Sequence, residues 1–415
     1  MSTYQGSLIH EDYHQLVDKK YIRSNNFDNN QIQPSSIDLT LSEECYEISA
    51  SFLSPSKNVR ENLKDVIIKK VNLDKKYICS NNISNNQIQP SSIDLTLSEE
   101  CYEIRASFLS SSTNIRENLK DIMIKKIDLE KKNVFKKNKI YLVRLNEIIN
   151  LPHDIFGFCN PKSSTGRLDI FCRTILNHND EYEKIPKNYN GEMFIEITSR
   201  SFDIEFKKGD SLNQMRLIYN KHMYLDDTYL REYHKKFFLT LDNNSNKIQP
   251  KLNNGLKISV DLSPENKINA FVAKKNSPLL VFRKVKNHKL ELYWESLKLL
   301  DKKLVIRKDN FYILRSKEKI QIPKNMAGEM VPYDTSIGDF RVHYAGFFDP
   351  GFGYKNGSYA VLEVKTNEVP FILEDGQTIA RIKFEALNKE SNVLYGKEIN
   401  SNYQNQGLAL SKHFV

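Results

Sequence analysis

Two cations flank a run of hydroxyls at residues 162–167, which read Lys-Ser-Ser-Thr-Gly-Arg. Arginine offers a planar fork of donors, lysine a point charge, and the hydroxyls form short hydrogen bonds. Side chains of these types, so closely spaced, would suit a polyanion such as a triphosphate. The segment alone is also typical of a serine-rich turn between strands.

The chain repeats itself over a long distance, which places this segment in one of two related domains. Five short motifs recur in the same order at separations of 167 or 171 residues. For example, Ser-Ile-Asp-Leu at 92–95 recurs as Ser-Val-Asp-Leu at 259–262, and Phe-Ile-Glu-Ile at 194–197 recurs as Val-Leu-Glu-Val at 361–364. A nearly constant offset predicts two similar domains in tandem, each large enough to bury its own core.

A second duplication lies near the start of the chain, where residues 20–75 and 76–131 match at 44 of 56 positions. The long-range repeat needs only one copy, and 76–131 is contiguous with the rest of the first domain. We therefore predict that 20–75 is surplus and packs outside, competes for the same place, or hangs loose. The predicted organisation is a helix plus the surplus block at 1–75, a first barrel at 76–240, a linker at 241–255, and a second barrel with a C-terminal tail at 256–415.

Short runs rich in Ile, Val, Tyr and Phe recur about every ten residues and indicate strands. Helical patterns are few: one covers 11–19, and another covers 229–236 behind Asp226 and Asp227, where it would close the first domain. This pattern predicts a mainly β protein, with a sandwich or barrel in each domain. In the first domain the predicted strands are 101–109, 139–145, 170–176, 192–197, 202–206 and 214–219. In the second they are 256–262, 268–273, 278–285, 309–315, 342–348, 359–364, 369–373 and 378–384.

The composition is that of a soluble globular protein, with 40% hydrophobic and 27% charged residues. We expect neither a membrane-spanning helix nor a signal peptide, because no apolar run approaches 18 residues. The five cysteines form no Cys-x-x-Cys pair, which favours buried thiols in a reducing cytoplasm. The net charge of +9 comes with Lys, Asn and Ile throughout the chain, so it favours solvated lysine faces over a nucleic-acid partner.

Each domain also places one glutamate inside an apolar strand, Glu196 in the first and Glu363 in the second. Alternation along a strand would more commonly point such a residue to solvent. Its recurrence at the same place in both repeats favours a buried carboxylate instead. A carboxylate whose pKa is raised by burial can take a proton from water and return it to a reacting base.

Several ordered motifs resemble the dCTP deaminase branch of the dUTPase superfamily, and residues 76–415 resemble its long, two-domain form. They are Ile-Gln-Pro-Ser-Ser-Ile-Asp-Leu at 88–95, Pro-Lys-Ser-Ser-Thr-Gly-Arg-Leu at 161–168, Ala-Gly-Phe-Phe-Asp-Pro-Gly at 345–351 and Ala-Val-Leu-Glu at 360–363. The resemblance implies a distorted jelly-roll barrel per domain, a homo-oligomer about a threefold axis, and active sites between neighbouring barrels. It also implies hydrolysis of dCTP to dUTP and ammonia, with Mg²⁺ carried on the triphosphate.

Cytosine can be deaminated with a zinc ion or without a metal, and the two routes need different residue types. Zinc deaminases use a His/Cys/Cys metal site with a Pro-Cys-x-x-Cys motif, which the scattered histidines and cysteines of this chain do not match. We therefore expect no zinc and no protein-bound metal. In the metal-free route a glutamate activates water, delivers a proton to N3 of the base, and helps the amine to leave.

The resemblance assigns the site residues across both domains. Arg167 and Ser163 would hold the base and the water, while Lys162 and Ser164 would bind phosphate oxygens. Asp349 would contact the deoxyribose, and Glu363 would be the general acid and base. Glu196 is the second choice for that role, because the first domain lacks the Asp-Pro-Gly motif.

The C-terminal segment resembles the family's tail, which folds over the nucleotide. Tyr395 and Gln406 match substrate-contacting positions, whereas Asn402 replaces an expected lysine, for which Lys412 could compensate. By composition alone, the segment is also typical of a disordered terminus.

Three functional alternatives remain open from the sequence. The first is dCTP deamination, and the second is dUTP pyrophosphatase activity, alone or coupled to deamination. Against the second, Phe352 stands where that branch has a tyrosine, and the tail lacks its glycine-rich phosphate motif. The third is a non-catalytic protein that binds nucleotides or nucleic acid. The assembly is also open: rings of three barrels either mix the two domain types, or are homotypic and use Glu196 with Ser163 and Arg167.

Overall fold

The structure, a computed structural model, describes residues 89–331, 347–366, 369–396, 403–404 and 406–415. It also describes the backbone of short strands at residues 6–7, 32–33, 36–37, 45–48, 67–71 and 340–342. The helix predicted at 11–19 lies outside these residues.

Strands make up most of the regular structure, which confirms the prediction of a mainly β protein with a few short helices. In the first half of the chain they are β1 (Gly6–Ser7), β2 (Ile32–Gln33), β3 (Ser36–Ile37), β4 (Cys45–Ile48), β5 (Ile67–Val71), β6 (Ile93–Ile104), β7 (Met123–Asp128), β8 (Asn133–Phe135), β9 (Ile140–Asn150), β10 (Ile155–Pro161), β11 (Ile170–Leu176), β12 (Lys184–Ile185), β13 (Asn190–Ser199), β14 (Ile204–Phe206), β15 (Ser211–Tyr219) and β16 (Thr240–Leu241). In the second half they are β17 (Leu256–Ser259), β18 (Ala270–Ala273), β19 (Leu280–Val281), β20 (Trp294–Leu297), β21 (Lys303–Ile306), β22 (Tyr312–Ile320), β23 (Met326–Met330), β24 (Phe340–Val342), β25 (Phe347–Phe348), β26 (Ser358–Thr366), β27 (Phe371–Glu374) and β28 (Thr378–Ala386). The helices within the described residues are α1 (Ile115–Ile122), α2 (Ser163–Gly166), α3 (Asp227–Lys236) and α4 (Leu290–Tyr293).

The main sheet of the first domain curls into a barrel-like shape. Its strands run in the order β11-β13-β9-β6-β15-β10-β12, with β1 beside β15 and β7 beside β6. The long strand β6 pairs with β15 near its start and with β9 towards its end, and its register shifts between Leu97 and Cys101. A shift of this kind bends a strand and increases its twist, so β6 can serve both sides of the barrel.

Two sheets of the second domain enclose its core. One has the order β20-β18-β22-β26-β24 with β16 beside β22, and the other has the order β17-β28-β23-β25. Buried aliphatic side chains of both sheets meet in one cluster, including Ile258 and Ile382 from one sheet and Leu314 and Leu362 from the other. Burial of this apolar surface stabilises the domain and fixes which face of β26 points inward.

The two domains share a continuous hydrophobic interface. Trp294 is buried against Phe202 of the first domain and Phe414 of the C-terminus, with ring centroids 5.5 and 5.9 Å away. Strand β19 also pairs in parallel with β14 of the first domain. Large aromatic side chains dominate such interfaces, so the relative position of the two domains is well determined by packing.

The domain boundary differs from the one predicted. Leu230 of α3 is fully buried in the core of the second domain, so this helix opens that domain and does not close the first. Thr240 and Leu241, the latter the first residue of the predicted linker, pair with β22 of the second domain. At the other end, β1 pairs with β15, so residues 6–7 join the first barrel, whose predicted start was 76.

The duplicated block forms the same hairpin twice. Cys45 of β4 pairs with Val71 of β5, and 56 residues later Cys101 of β6 pairs with Ile127 of β7. Both hairpins shift register at the equivalent position, after Glu47 in one copy and after Glu103 in the other. The local sequence therefore specifies this antiparallel strand pair, and among the described residues only the second copy continues into the nine-stranded sheet, through β6.

Within the described residues, no helix is both long and apolar enough to cross a membrane.

Candidate active site

One pocket between the two domains gathers nearly all of the predicted site residues. The first domain and the second domain each contribute part of its wall, and the C-terminal segment contributes the rest. Glu196 is the one predicted site residue that does not line it. The lining residues are Gln89, Asp94, Lys162, Ser163, Ser164, Arg167, Gln214, Met330, Phe347, Phe348, Asp349, Phe352, Val361, Glu363, Tyr395, Tyr403, Gln406 and Lys412.

The segment 162–167 enters the pocket as one turn of helix, α2, directly after β10. The Thr165 hydroxyl donates to the Leu212 carbonyl of β15 at 2.8 Å, which fixes the turn to the barrel. The Ser164 carbonyl accepts from the Ser411 hydroxyl at 3.0 Å, so the C-terminal segment holds the other side. Within this turn Ser163 stays partly exposed while Ser164 is buried.

Arg167 ends this turn with its guanidinium buried and surrounded by the C-terminal segment. Its Nη1 donates to the carbonyls of Ala409 and Leu410 at 3.1 and 3.4 Å, and its Cζ lies 3.9 Å from the ring centroid of Tyr403. Its Nε is buried without a hydrogen-bond partner in the described part of the chain. A buried donor without a partner is costly, so this N–H is available to a bound molecule.

Lys162 donates to the carboxylate of Asp94, which lies on the same wall. Burial raises the pKa of Asp94, and the charge of Lys162 opposes that rise. Lys412 lines the pocket close by, and burial together with the charge of Lys162 lowers its pKa. Two lysines thus share one carboxylate, which leaves a net positive charge suited to phosphate oxygens.

Asp349 is held by the first domain, across the domain boundary. Its Oδ1 accepts from the backbone N–H of Ser91 at 3.0 Å and from the Ser91 hydroxyl at 2.7 Å. Burial raises the pKa of Asp349 to about 7 despite these hydrogen bonds, and nearby Asp94 adds to the rise. The Pro-Ser-Ser motif of the first domain therefore positions the Asp-Pro-Gly motif of the second.

Glu363 lies in β26 and is buried in the pocket wall. Burial raises its pKa well above the ordinary value; the charge of Arg167 opposes this rise and Asp169 adds to it. Among the described residues it has no salt-bridge partner and no hydrogen bond to its carboxylate. An unpaired buried carboxylate beside a cation is suited to exchanging a proton with a bound molecule.

Glu196 is also buried, but its charge is paired with that of Arg173. Its Oε1 accepts from Nη2 of Arg173 at 2.8 Å, and that guanidinium lies over the ring of Tyr182 at 3.7 Å. The structure therefore brings Ser163 and Arg167 together with Glu363 and not with Glu196, all within one chain. Of the two arrangements predicted from the sequence, the composite site and the homotypic ring that uses Glu196, this geometry matches the composite site.

The C-terminal segment packs against the second domain at the Asp-Pro-Gly turn. Gly351 has a φ of +94°, and a Cβ there would lie 2.8 Å from the Cβ of Leu394, so glycine is required for both reasons. The Gln404 side chain accepts from the Gly353 N–H and donates to the Gly351 carbonyl. Tyr395 lines the pocket beside this turn.

Gln406 and the residues after it continue along the pocket to the first domain. The Gln406 side chain donates to the Tyr359 carbonyl at 3.1 Å, and its Oε1 is buried without a partner in the described part of the chain. Ser411 and His413 are almost fully buried. The described end of the chain is packed, unlike the disordered terminus that composition also allowed.

Comparison with known proteins places the chain in a family. A family model for the 2′-deoxycytidine 5′-triphosphate deaminase N-terminal domain matches residues 4–82 and again 74–221, and one for the C-terminal domain of the same family matches 226–414. The chain belongs to the 2′-deoxycytidine 5′-triphosphate deaminase family. This confirms the family predicted from the motifs, and the boundary between the two matches coincides with the start of α3.

Two relatives of this deaminase family illustrate the extent of the likeness. The crystal structure of 2′-deoxycytidine 5′-triphosphate deaminase from Agrobacterium tumefaciens is 37% identical, has a TM-score of 0.70, and aligns over 74% of this chain and 93% of that chain. A protein from Halobacterium salinarum named dCTP deaminase, dUMP-forming, is 29% identical over 105 residues, which is 25% of this chain. The match spans about half (52%) of the length of that curated relative.

Sequence reasoning assigned no role to several residues that the structure places at the site, among them Asp94 and Tyr403 in the pocket wall and Ser91 behind Asp349. Ser91 and Asp94 lie in the Ser-Ser-Ile-Asp motif that carried the resemblance, yet neither was assigned a role. Tyr403 opens the Tyr-x-x-Gln stretch of the tail that resembles the family's C-terminal segment, but its contact with Arg167 was not predicted. Only the fold of the C-terminal segment brings it there.

No group of three or more His, Cys, Asp or Glu residues in the described part of the chain is arranged to hold a metal ion.

Proposed function

We propose that this chain hydrolyses dCTP to dUTP and ammonia, with Glu363 as general acid and base. The observation that carries the proposal is the single pocket in which Ser163 and Arg167 of one domain face Glu363 of the other. The family membership, the buried Glu363 carboxylate without an ion-pair partner among the described residues, and the adjacent positive charge all agree with it.

The proposed reaction balances with groups that line the pocket. Water attacks C4 of the cytosine while Glu363 accepts one of its protons and delivers it to N3. Glu363 then takes the remaining proton from the new C4 hydroxyl and gives it to the amine, so that the C4–N bond breaks, ammonia leaves and the C4 carbonyl of dUTP forms. A carboxyl whose pKa is raised by burial is a stronger base than an exposed glutamate, which suits both steps. The Nε–H of Arg167 and the Ser163 hydroxyl would orient the base and the water.

The remaining assignments follow the charges in the pocket. Lys162, Ser164 and Lys412 would bind the triphosphate, with Mg²⁺ arriving as part of the substrate. Asp349 would accept from the deoxyribose hydroxyl, and Tyr395 and Gln406 would close over the nucleotide.

We also propose a cytoplasmic location, in agreement with the buried Cys101, Cys159 and Cys172, which form no disulfide. We further propose association about a threefold axis, which sedimentation of the purified chain would test.

The central test compares two isosteric substitutions at the two repeated glutamates. Glu363→Gln should still bind dCTP but lose about 10²- to 10⁴-fold in turnover, because an amide cannot accept the proton from water. Glu196→Gln should keep most of the turnover and lose mainly stability, because its carboxylate serves Arg173. The measurements are ammonia release and dCTP affinity for both variants.

The same assay separates the alternative functions. The Halobacterium relative is named as forming dUMP, so dUTP, dUMP and pyrophosphate should be measured together with ammonia. Equal release of pyrophosphate and ammonia would indicate a coupled pyrophosphatase. An active Glu363→Gln beside an inactive Glu196→Gln would contradict the composite site, and wild-type protein that releases no ammonia would contradict the deaminase.

A further inference from the structure

The guanidinium of Arg167 is enclosed by one short stretch of chain. The ring of Tyr403 covers its face at 3.9 Å, and the carbonyls of Ala409 and Leu410 accept from Nη1 at its edge. Cation–π attraction is strongest when the cation is desolvated, and Arg167 is only 3% exposed. The ring and the two carbonyls together define one orientation of the side chain.

This enclosure is itself firmly anchored. The Tyr403 hydroxyl accepts from the backbone N–H of Lys412 at 3.2 Å, which joins the two parts of the enclosure to each other. Beyond it, Phe414 packs in the core between the domains, and the Val415 N–H donates to the His288 carbonyl at 2.9 Å. Tyr403 therefore has a fixed position relative to Arg167.

In the first domain, a guanidinium directly contacts Glu196, the glutamate that corresponds to Glu363 in the repeat. There Arg173 forms a direct ion pair with Glu196 at 2.8 Å. In the pocket, Arg167 lies close enough for its charge to act on Glu363, yet no ion pair joins them in the described structure. The difference is that the donors of Arg167 are directed to the carbonyls of the C-terminal segment.

We propose that Tyr403 is a positioning residue that holds the guanidinium of Arg167 against the carbonyls of Ala409 and Leu410, and so keeps it out of a direct ion pair with Glu363. The inference rests on the proposed function, since it explains why Glu363 remains free to accept a proton. Without the aromatic ring, Arg167 turns onto Glu363 as Arg173 does onto Glu196. The carboxylate then becomes a weaker base.

The kinetic test uses Tyr403→Leu, which removes the ring, and Tyr403→Phe, which keeps the ring and removes only the hydroxyl. Tyr403→Leu should lose about 10- to 30-fold in kcat, and the pKa on the acidic limb of its kcat–pH profile should move to lower pH. In Tyr403→Phe, both kcat and this pKa should lie close to their wild-type values. Tyr229→Leu, an exposed tyrosine on α3, is the control for a general effect of losing a tyrosine.

A second measurement does not depend on activity. The Nε–H resonance of Arg167, identified by its loss in Arg167→Lys, should shift in Tyr403→Leu because the ring current is removed, and stay in place in Tyr403→Phe. A resonance that does not move in Tyr403→Leu overturns the proposal whether or not the protein turns over dCTP. A kcat–pH profile that does not move, or that moves to higher pH, overturns it as well. If wild-type protein releases no ammonia while the resonance still shifts, the deaminase function fails but the contact stands.

Discussion

The buried ion cluster between the domains gives a stability prediction that can be worked out from the structure. Arg216 of β15 is fully buried, and its Nη1 lies 2.8 Å from Oε1 of Glu385 in β28, which is also fully buried. His222 contacts the other oxygen of Glu385, and Glu329 contacts Arg216. The guanidinium also lies 4.2 Å from the ring centroid of Phe347 in the pocket wall. The cluster thus joins the domains directly behind the site.

The expected contribution of Glu385 to the free energy of unfolding follows from its pKa. Burial alone would raise that pKa, but the charge of Arg216 and the contact with His222 outweigh burial and lower it from 4.5 to about 2. Each unit of pKa corresponds to about 1.4 kcal/mol, so Glu385 contributes about 3 kcal/mol of stability at neutral pH. Because the folded pKa lies below the unfolded one, this stabilisation is complete above about pH 5 and is lost as the pH falls towards 2.

Glu385→Gln should therefore lower the free energy of unfolding by about 3 kcal/mol at pH 7, in the range found when one partner of a buried pair is removed. The difference from wild type should shrink to roughly half at pH 3. Urea denaturation at both pH values measures it. Glu374→Gln is the control, because its pair with Lys303 is more than half exposed on both sides and should contribute little to stability. A loss below about 1 kcal/mol at pH 7, or one that is the same at pH 3, would refute the reasoning.

Three further predictions concern the site and the duplication. Arg167→Ala should abolish turnover but leave the fold intact, at a cost of roughly 1.5–3 kcal/mol in substrate interaction; unchanged kcat and KM would remove Arg167 from the site. Gly351→Ala should raise KM for dCTP and lower the Tm, because its positive φ and the 2.8 Å approach to Leu394 together cost about 1–3 kcal/mol; wild-type kinetics and Tm would show that the turn tolerates a side chain. Deleting residues 20–75 should leave a folded, active protein, since 76–131 supplies the hairpin that continues into the barrel; loss of soluble protein on that deletion, with survival on deleting 76–131, would show that 20–75 is the native copy.

Much of the fold was predictable because the local pattern and the packing agree. Strands β13 and β26 each bury a continuous run of residues around their glutamate, and both were located by runs rich in Ile, Val, Tyr and Phe. The domain boundary was misplaced because an amphipathic helix does not indicate which core its apolar face will meet. Leu230 of α3 packs into the second domain, and that choice is made by tertiary contacts.

The site residues that were predictable from the sequence are those that lie in short, recognisable motifs. Arg167, Asp349 and Glu363 stand in short motifs, and the structure brings all three to one pocket. The pairing of Asp349 with Ser91, 258 residues away, is a product of domain packing. The ion pair of Glu196 has another origin, because Arg173 and Glu196 stand opposite each other on the paired strands β11 and β13 of the first domain. That strand pairing is a tertiary feature that the spacing of the two residues along the sequence does not indicate.

The anchoring of the chain's last residues has a consequence for biosynthesis. Phe414 completes the core between the domains, and the carbonyls that hold Arg167 belong to residues 409 and 410. Both are synthesised well after the first domain, so that domain is finished before the groups that orient its arginine exist. Activity should appear only once residues 409–414 have left the ribosome, and a chain truncated before residue 409 should contain two folded domains without a working pocket between them.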